Sequence, residues 1–142
     1  MEKINFVNGQ EPALNGTNLN QLQTNIEEAI EKKQAYSTNE QVIGTWINGK
    51  PIYRKVVNIG ALPNATTKNT AHNITDIDYI VRFYGTAADT SKHTIPLPHV
   101  HPANVSYGVL VQVSKVNVEI ETGYNRSAYS GYITIEYTKT TD

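Results

Sequence analysis

The sequence predicts a mainly β protein: an extended N-terminal arm and a short coiled-coil-type helix, followed by an antiparallel β-sandwich head of jelly-roll type. Three observations lead there. A heptad-like apolar stripe occurs once, between Leu19 and Lys33. From Glu40 onward apolar residues alternate with polar ones, the period of a half-buried strand. Short turn signals divide that region into seven or so runs, as in an antiparallel sandwich. The bias toward Asn, Thr and Tyr agrees, because Thr and Tyr suit pleated half-buried surfaces and Asn suits turns.

Residues 1–16 show no helical period and carry Gly9, Pro12 and Gly16, yet Phe6, Val7 and Leu14 are apolar. An apolar extended arm needs a surface to pack on. At full extension it reaches about 50 Å, enough to touch a neighbouring subunit; a frayed terminus is the plain alternative. Thr17 or Asn18 is expected to cap the helix, with Asn18 and Gln21 resembling a capping box. Leu19, Leu22, Ile26, Ala29 and Lys33 follow the alternating three- and four-residue spacing of a coiled-coil seam. A helix of about 17 residues is marginal alone in water, so its stripe needs burial. Sister helices around an axis and the chain's own sheet are both open as the covering surface, because an ordinary amphipathic helix shows the same stripe over two heptads.

Gln41 to Ile47 and Lys50 to Ile59 flank Asn48-Gly49, a strong hairpin signal. Leu62-Pro63-Asn64 opens a polar loop expected to run through Thr70. Ile77 to Tyr84 reads as a strand with Ile77, Tyr79, Val81 and Phe83 on one face and Ile74 and Ile80 facing the other way, a pattern open to cover on both sides. Gly85 to His93 reads as a loop, and Thr94 to Leu97 as a short strand closed by Pro98. Tyr107, Val109, Val111 and Val113 alternate, as do Val116, Val118 and Ile120, with Ser114-Lys115 as the turn between them. Gly123 to Gly131 is a loop, and Tyr132 to Thr138 is the last strand. Residues 1–36 are thus arm and helix, and residues 37–142 the head.

Formal charge is −1, from 12 basic and 13 acidic residues scattered along the chain, which argues against a nucleic-acid face. Cysteine is absent, removing disulfides and thiolate metal sites. No apolar run is long enough to insert into a membrane, and the first residues do not read as a signal peptide.

Candidate sites follow from residue type. Tyr124, Asn125, Arg126 and Tyr129 share one predicted loop. Aromatic rings meet the C–H faces of sugars, Asn and Arg meet hydroxyls, and loops on a rigid scaffold often carry binding; the plain alternative is a solvated hairpin end. Trp46 is expected in a core or an inter-subunit contact. Asp76 with Asp78, and Glu119 with Glu121, are same-face carboxylate pairs. A glycosidase would need two carboxylates across a cleft, whereas alternating charge on a strand is ordinarily the wet face of a sheet. His99-Val100-His101 places two imidazoles on one side of an extended segment. One chain offers too few ligands for a closed zinc site, and Pro96, Pro98 and Pro102 point to an irregular loop whose histidines are exposed or hydrogen-bonded. No cofactor is expected.

Four stretches, taken in order, resemble a known group. Ile4-Asn5-Phe6-Val7-Asn8-Gly9 with Pro12-Ala13-Leu14-Asn15 and Asn18-Leu19-Asn20 is similar to the N-terminal segment of phage and prophage structural proteins from Gram-positive hosts. Glu40 through Lys55 resembles the start of C-terminal head domains on phage tail-fibre and baseplate proteins. Leu62-Pro63-Asn64 and Gly131 through Lys139 fit the same group. The resemblance implies a homotrimer whose β-sandwich heads face the host. It also implies a place in the virion after synthesis in the bacterial cytoplasm, and attachment to other virion proteins through the arm. The implied function is non-enzymatic recognition of a host surface glycan or wall polymer. In such a trimer His99 and His101 would offer six nitrogens on the axis, a set suited to octahedral iron or a similar metal. The alternative is a purely structural virion component contacting other particle proteins, and a third option is a small hydrolase. This chain departs from the group in passing from helix to head with almost no shaft.

Overall fold

The structure is a computed structural model and describes residues 16–142. The arm with Phe6, Val7 and Leu14 lies outside the described residues, as does the side chain of Lys33. The chain divides into two compact units, Met1–Ala35 and Tyr36–Asp142.

In the first unit a helix, α1, spans Gly16–Gln34. Its described range begins at Gly16, so Thr17 and Asn18 both fall in its first turn. Gln21 donates to Asn25 at 3.1 Å and Gln23 to Glu27 at 2.9 Å, both at the i,i+4 spacing that joins neighbours on a helix surface. Leu19, Leu22, Ile26 and Ile30 are between 42% and 51% exposed, and Ala29 is half-buried.

The second unit contains eight strands: β1 (Gln41–Thr45), β2 (Pro51–Ala61), β3 (Thr67–Ala71), β4 (Ile77–Ala88), β5 (Thr94–Leu97), β6 (Val109–Val113), β7 (Asn117–Thr122) and β8 (Ser130–Lys139). They form a five-stranded sheet in the order β1-β2-β8-β4-β5 and a three-stranded sheet in the order β3-β7-β6, antiparallel throughout. Val57, Ile59, Ile133, Ile135 and Tyr137 of the larger sheet share one core with Val109, Val111, Val118 and Ile120 of the smaller. The result is a β-sandwich-like body, as the alternating pattern predicts.

Local chemistry explains most elements. In the β1–β2 turn Gly49 has φ +86, a conformation only glycine adopts without strain, and Asn48 Oδ1 accepts from the Lys50 amide at 3.1 Å. Two segments differ from expectation. β3 lies inside the predicted polar loop. It is an edge strand, Thr67-Lys68-Asn69-Thr70-Ala71, with no large apolar residue, so it carries no alternation to read. Backbone pairing to β7 holds it, together with Lys68 Nζ, which donates to the carbonyls of Ile59 and Ala61 at 2.7 Å. β4 likewise runs on through Gly85 to Ala88, where small residues pair with both β5 and β8. Register shifts between Ile77 and Tyr79, and between Ile80 and Arg82, break the expected single face. Ile77 is buried and Tyr79 is exposed.

The registers place the connections. Ala61 and Ala88 both pair with Ser130, Asn64 bridges Asn125, and Val109 pairs with Thr122. The β2–β3, β4–β5 and β7–β8 connections and the start of β6 therefore share one end of the body. The β1–β2, β3–β4 and β6–β7 turns occupy the other. There His72, 2% exposed, accepts from the Ile74 amide through Nδ1, so its Nε2 carries the proton and donates to Ser114 O, each at 3.1 Å. Burial pushes this imidazole below its ordinary value; the Ser114 carbonyl partly offsets that and Lys55 adds to it.

Two outcomes are expected. Ile135→Ala removes a side chain with 0% exposure from the core and should lower the urea-unfolding free energy by about 2–5 kcal/mol. His72 is neutral when folded, and the unfolded chain takes up the proton near 6.5. Stability should therefore be full above that value and fall as pH drops through it. Urea midpoints between about pH 7 and 5 should show the decline, and His72→Gln should flatten it.

Candidate functional site

Two loops meet at the end of the body where β7 runs into β8. The first, residues 98–108, crosses from β5 to β6. His99 exchanges backbone hydrogen bonds with Val109, at 3.0 Å from its own amide and 2.9 Å to its carbonyl. His101 Nδ1 accepts from the amides of Ala103 and Asn104 at 3.3 and 3.2 Å. Asn104 then caps a 3-10 turn, Val105–Tyr107, by accepting from the Ser106 amide at 2.9 Å. Side chains thus supply the acceptors that an irregular backbone needs. Tyr107 ends this turn; it does not open β6, as its alternation with Val109 suggested.

The second loop, residues 123–129, is pinned in the same way. Asn125 Oδ1 accepts from the Ser127 amide at 3.0 Å and its hydroxyl at 2.8 Å. The Arg126 amide donates to Pro63 O at 3.1 Å, and Leu62 donates to Tyr129 O at 2.8 Å. Tyr129 is half-buried against the core. The Arg126 guanidinium joins the loops: it donates to Tyr107 O and lies 5.9 Å from the Tyr107 ring centre and 5.7 Å from that of Tyr129.

Their contact forms a run of edge-to-face rings. His99 and His101 are 6.4 Å apart between centres at 74°, His101 and Tyr107 5.1 Å at 77°, and Tyr107 and Tyr124 4.8 Å at 89°. Beside this run is an open groove of about 430 Å3, walled by Val100, Val105 and Leu110, with His99, His101 and Glu121 at its polar positions. Burial, then the charges of Arg126 and His101, holds His99 below the ordinary imidazole value, so it is neutral near pH 7.

The sequence candidates therefore divide. His99, His101 and Tyr124 belong to one surface, although they come from separate loops. Exposed Asn125 and half-buried Arg126 and Tyr129 brace the second loop. Leu19, Leu22, Ile26 and Ala29 are on α1, in the other unit. Because His101 Nδ1 already accepts two amides, its proton is on Nε2; a metal at Nε2 would require the opposite tautomer and the loss of both bonds. Trp46 stacks on exposed Tyr79 at the opposite end of the body, ring centres 5.9 Å apart. Asp78 pairs with Lys50 at 2.8 Å. Glu119 and Glu121 stand two residues apart on β7, not across a cleft from one another. Sequence reasoning missed Leu110 and Glu121 as parts of the site, and Tyr107 stood out only as one tyrosine among several. Tyr107 and Leu110 read as strand residues, and Glu121 read as one of a wet-face pair.

The close approach of the loops depends on Gly123, where a Cβ would lie 3.0 Å from Ser106 O and 3.2 Å from Ser106 Cα, both backbone atoms. Gly123→Val should force the loops apart and abolish the Tyr107–Tyr124 ring-current shifts in proton NMR, at a stability cost of about 1–3 kcal/mol. No protein-family model, curated protein or solved structure matches this chain.

Proposed function

We propose that this chain is a homotrimeric, non-enzymatic virion protein of the phage tail-fibre or baseplate type. In this reading its β-body adsorbs to a host surface glycan or wall polymer through the groove beside His99 and His101. The observation that carries it is the pinned run of imidazole and phenol rings beside an exposed apolar groove, formed by two loops that Arg126 ties together. Such a surface offers rigid contact area with little entropy left to lose on binding. The exposed Leu19, Leu22, Ile26 and Ile30 fit burial between three copies of α1. Three heads on one axis would raise weak single-site binding by multivalency. The arm joins other virion proteins.

A specific observation favours a second, purely structural role. At the far end Ile47 is 91% exposed beside the Trp46–Tyr79 stack, a surface suited to another particle protein. Pull-down separates the two readings, since an adsorption protein retains host cells and a scaffold retains only particles.

Light scattering on the whole chain should give three times the 15.8 kDa mass. The pair Leu22→Glu and Ile26→Glu should return it to a monomer and lower cell adsorption about a hundredfold or more. Monomeric wild type, or adsorption undiminished in that pair, would reject the trimeric reading.

A further inference from the structure

The groove has a specific balance of polar groups. Its walls carry exposed aliphatic carbon: Val100 is 84% exposed, Val105 89% and Leu110 47%, more than singly scattered surface residues require. Its donors and acceptors are mixed. His101 Nε2 is a donor, because its Nδ1 is committed to two amides. The His99 ring has no hydrogen-bond partner among the described residues and is neutral, so it offers one donor and one acceptor. Glu121 is exposed next to Leu110, its partner across the β6–β7 pair, and no ion pair among the described residues engages it. The nearby cation, Arg126, already donates to the Tyr107 carbonyl and faces two tyrosine rings behind the groove. Glu121 is the one charged side chain among the residues lining the groove; Arg126 keeps its charge but stands outside that lining.

We propose that this groove takes an uncharged pyranose ring of a surface polysaccharide and rejects polyanionic chains such as phosphodiester or uronate polymers. The C–H face of the ring lies on Val105 and Leu110. Glu121 accepts from vicinal hydroxyls, and the imidazoles donate to ring or hydroxyl oxygens. A phosphate or carboxylate would meet Glu121 with no cation in the groove lining to offset it, and like charges so placed cost affinity. A hydrogen bond from a neutral hydroxyl to a carboxylate is, in contrast, among the stronger neutral-ligand contacts. This rests on reading the body as a polymer-binding head and adds the ligand's charge class to it.

The test is NMR on the isotopically labelled full chain. It is titrated with neutral oligosaccharides of glucose, galactose and N-acetylglucosamine, and separately with poly(glycerol phosphate). A neutral sugar should shift the Leu110 and Gly123 amides and the His99 and His101 ring resonances, and poly(glycerol phosphate) should not. Glu121→Gln, which keeps size and fold, should weaken the neutral sugar about tenfold or more. Glu121→Lys should admit the polyanion. Shifts produced by poly(glycerol phosphate) and not by the sugars would overturn the charge assignment while leaving polymer recognition intact. Sugar shifts confined to the Trp46–Tyr79 end would overturn the groove as their site. No response to either probe, together with no adsorption to cells, would overturn both this inference and the adsorption reading.

Discussion

Strand β8, in the middle of the larger sheet between β2 and β4, is buried on both faces from Ile133 to Thr138. Its inward residues Ile133, Ile135 and Tyr137 fill the core, and its outward residues Thr134, Glu136 and Thr138 are buried as well. A buried carboxylate needs a partner or it carries a large desolvation penalty. Glu136 finds one in Arg82, which donates from Nε at 2.7 Å and Nη2 at 3.0 Å in the two-pronged geometry a guanidinium favours. Those bonds hold Arg82 still more firmly protonated. The strand register makes the pairing: Arg82 and Arg54 are the cross-strand neighbours of Glu136 on either side. Tyr36 lies over Arg54, 4.3 Å from its guanidinium carbon, and its hydroxyl is 3.1 Å from that of Tyr84. One outward acidic residue thus organises the covered face of the sheet.

The same strand fixes where the chain's ends of elements lie. β8 comes last in order yet completes the middle of the sheet, so the sheet closes only when pairings distant in sequence have formed. Both neighbours of β8 reach Ser130 at one end, and the loops that form the groove collect there. The Lys139 ammonium at the other end holds Glu40, just before β1, at 2.6 Å, and the Tyr137 hydroxyl bonds the same carboxylate. A rigid centre with braced ends is what lets short loops hold side chains in a defined arrangement. In this body that bracing is backbone to backbone at His99 and Val109, and side chain to backbone at His101, Asn104, Asn125 and Arg126.

Legibility followed burial. β5, β6 and most of β2 and β8 could be read because one face meets the core, and selection for burial leaves alternation in the residues. β3 could not be read, since Thr67 to Ala71 is held by backbone pairing and one lysine, neither of which marks a pattern. The end of β4 was hidden for a related reason: Gly85, Thr86, Ala87 and Ala88 are small, and bulges earlier in the strand had already shifted its faces. For the site, residue type was informative and position was not. His99, His101 and Tyr124 stood out as chemistry. Their adjacency depends on Tyr107 and on the bare Cα of Gly123, which lets two backbones come together.

What the amino-acid order determined by itself was local. It set a helix where apolar residues recur every three or four positions, strands where they alternate, and a turn at Asn48-Gly49 because few other pairs adopt that backbone. Tertiary structure decided the strand order, the burial of Glu136 against Arg82, and the union of the 98–108 and 123–129 loops into one surface. The physical reason is range. Backbone preference and hydrophobic period act over a few residues, whereas strand partners and loop contacts are selected by which distant surfaces bury apolar area and satisfy buried polar groups together.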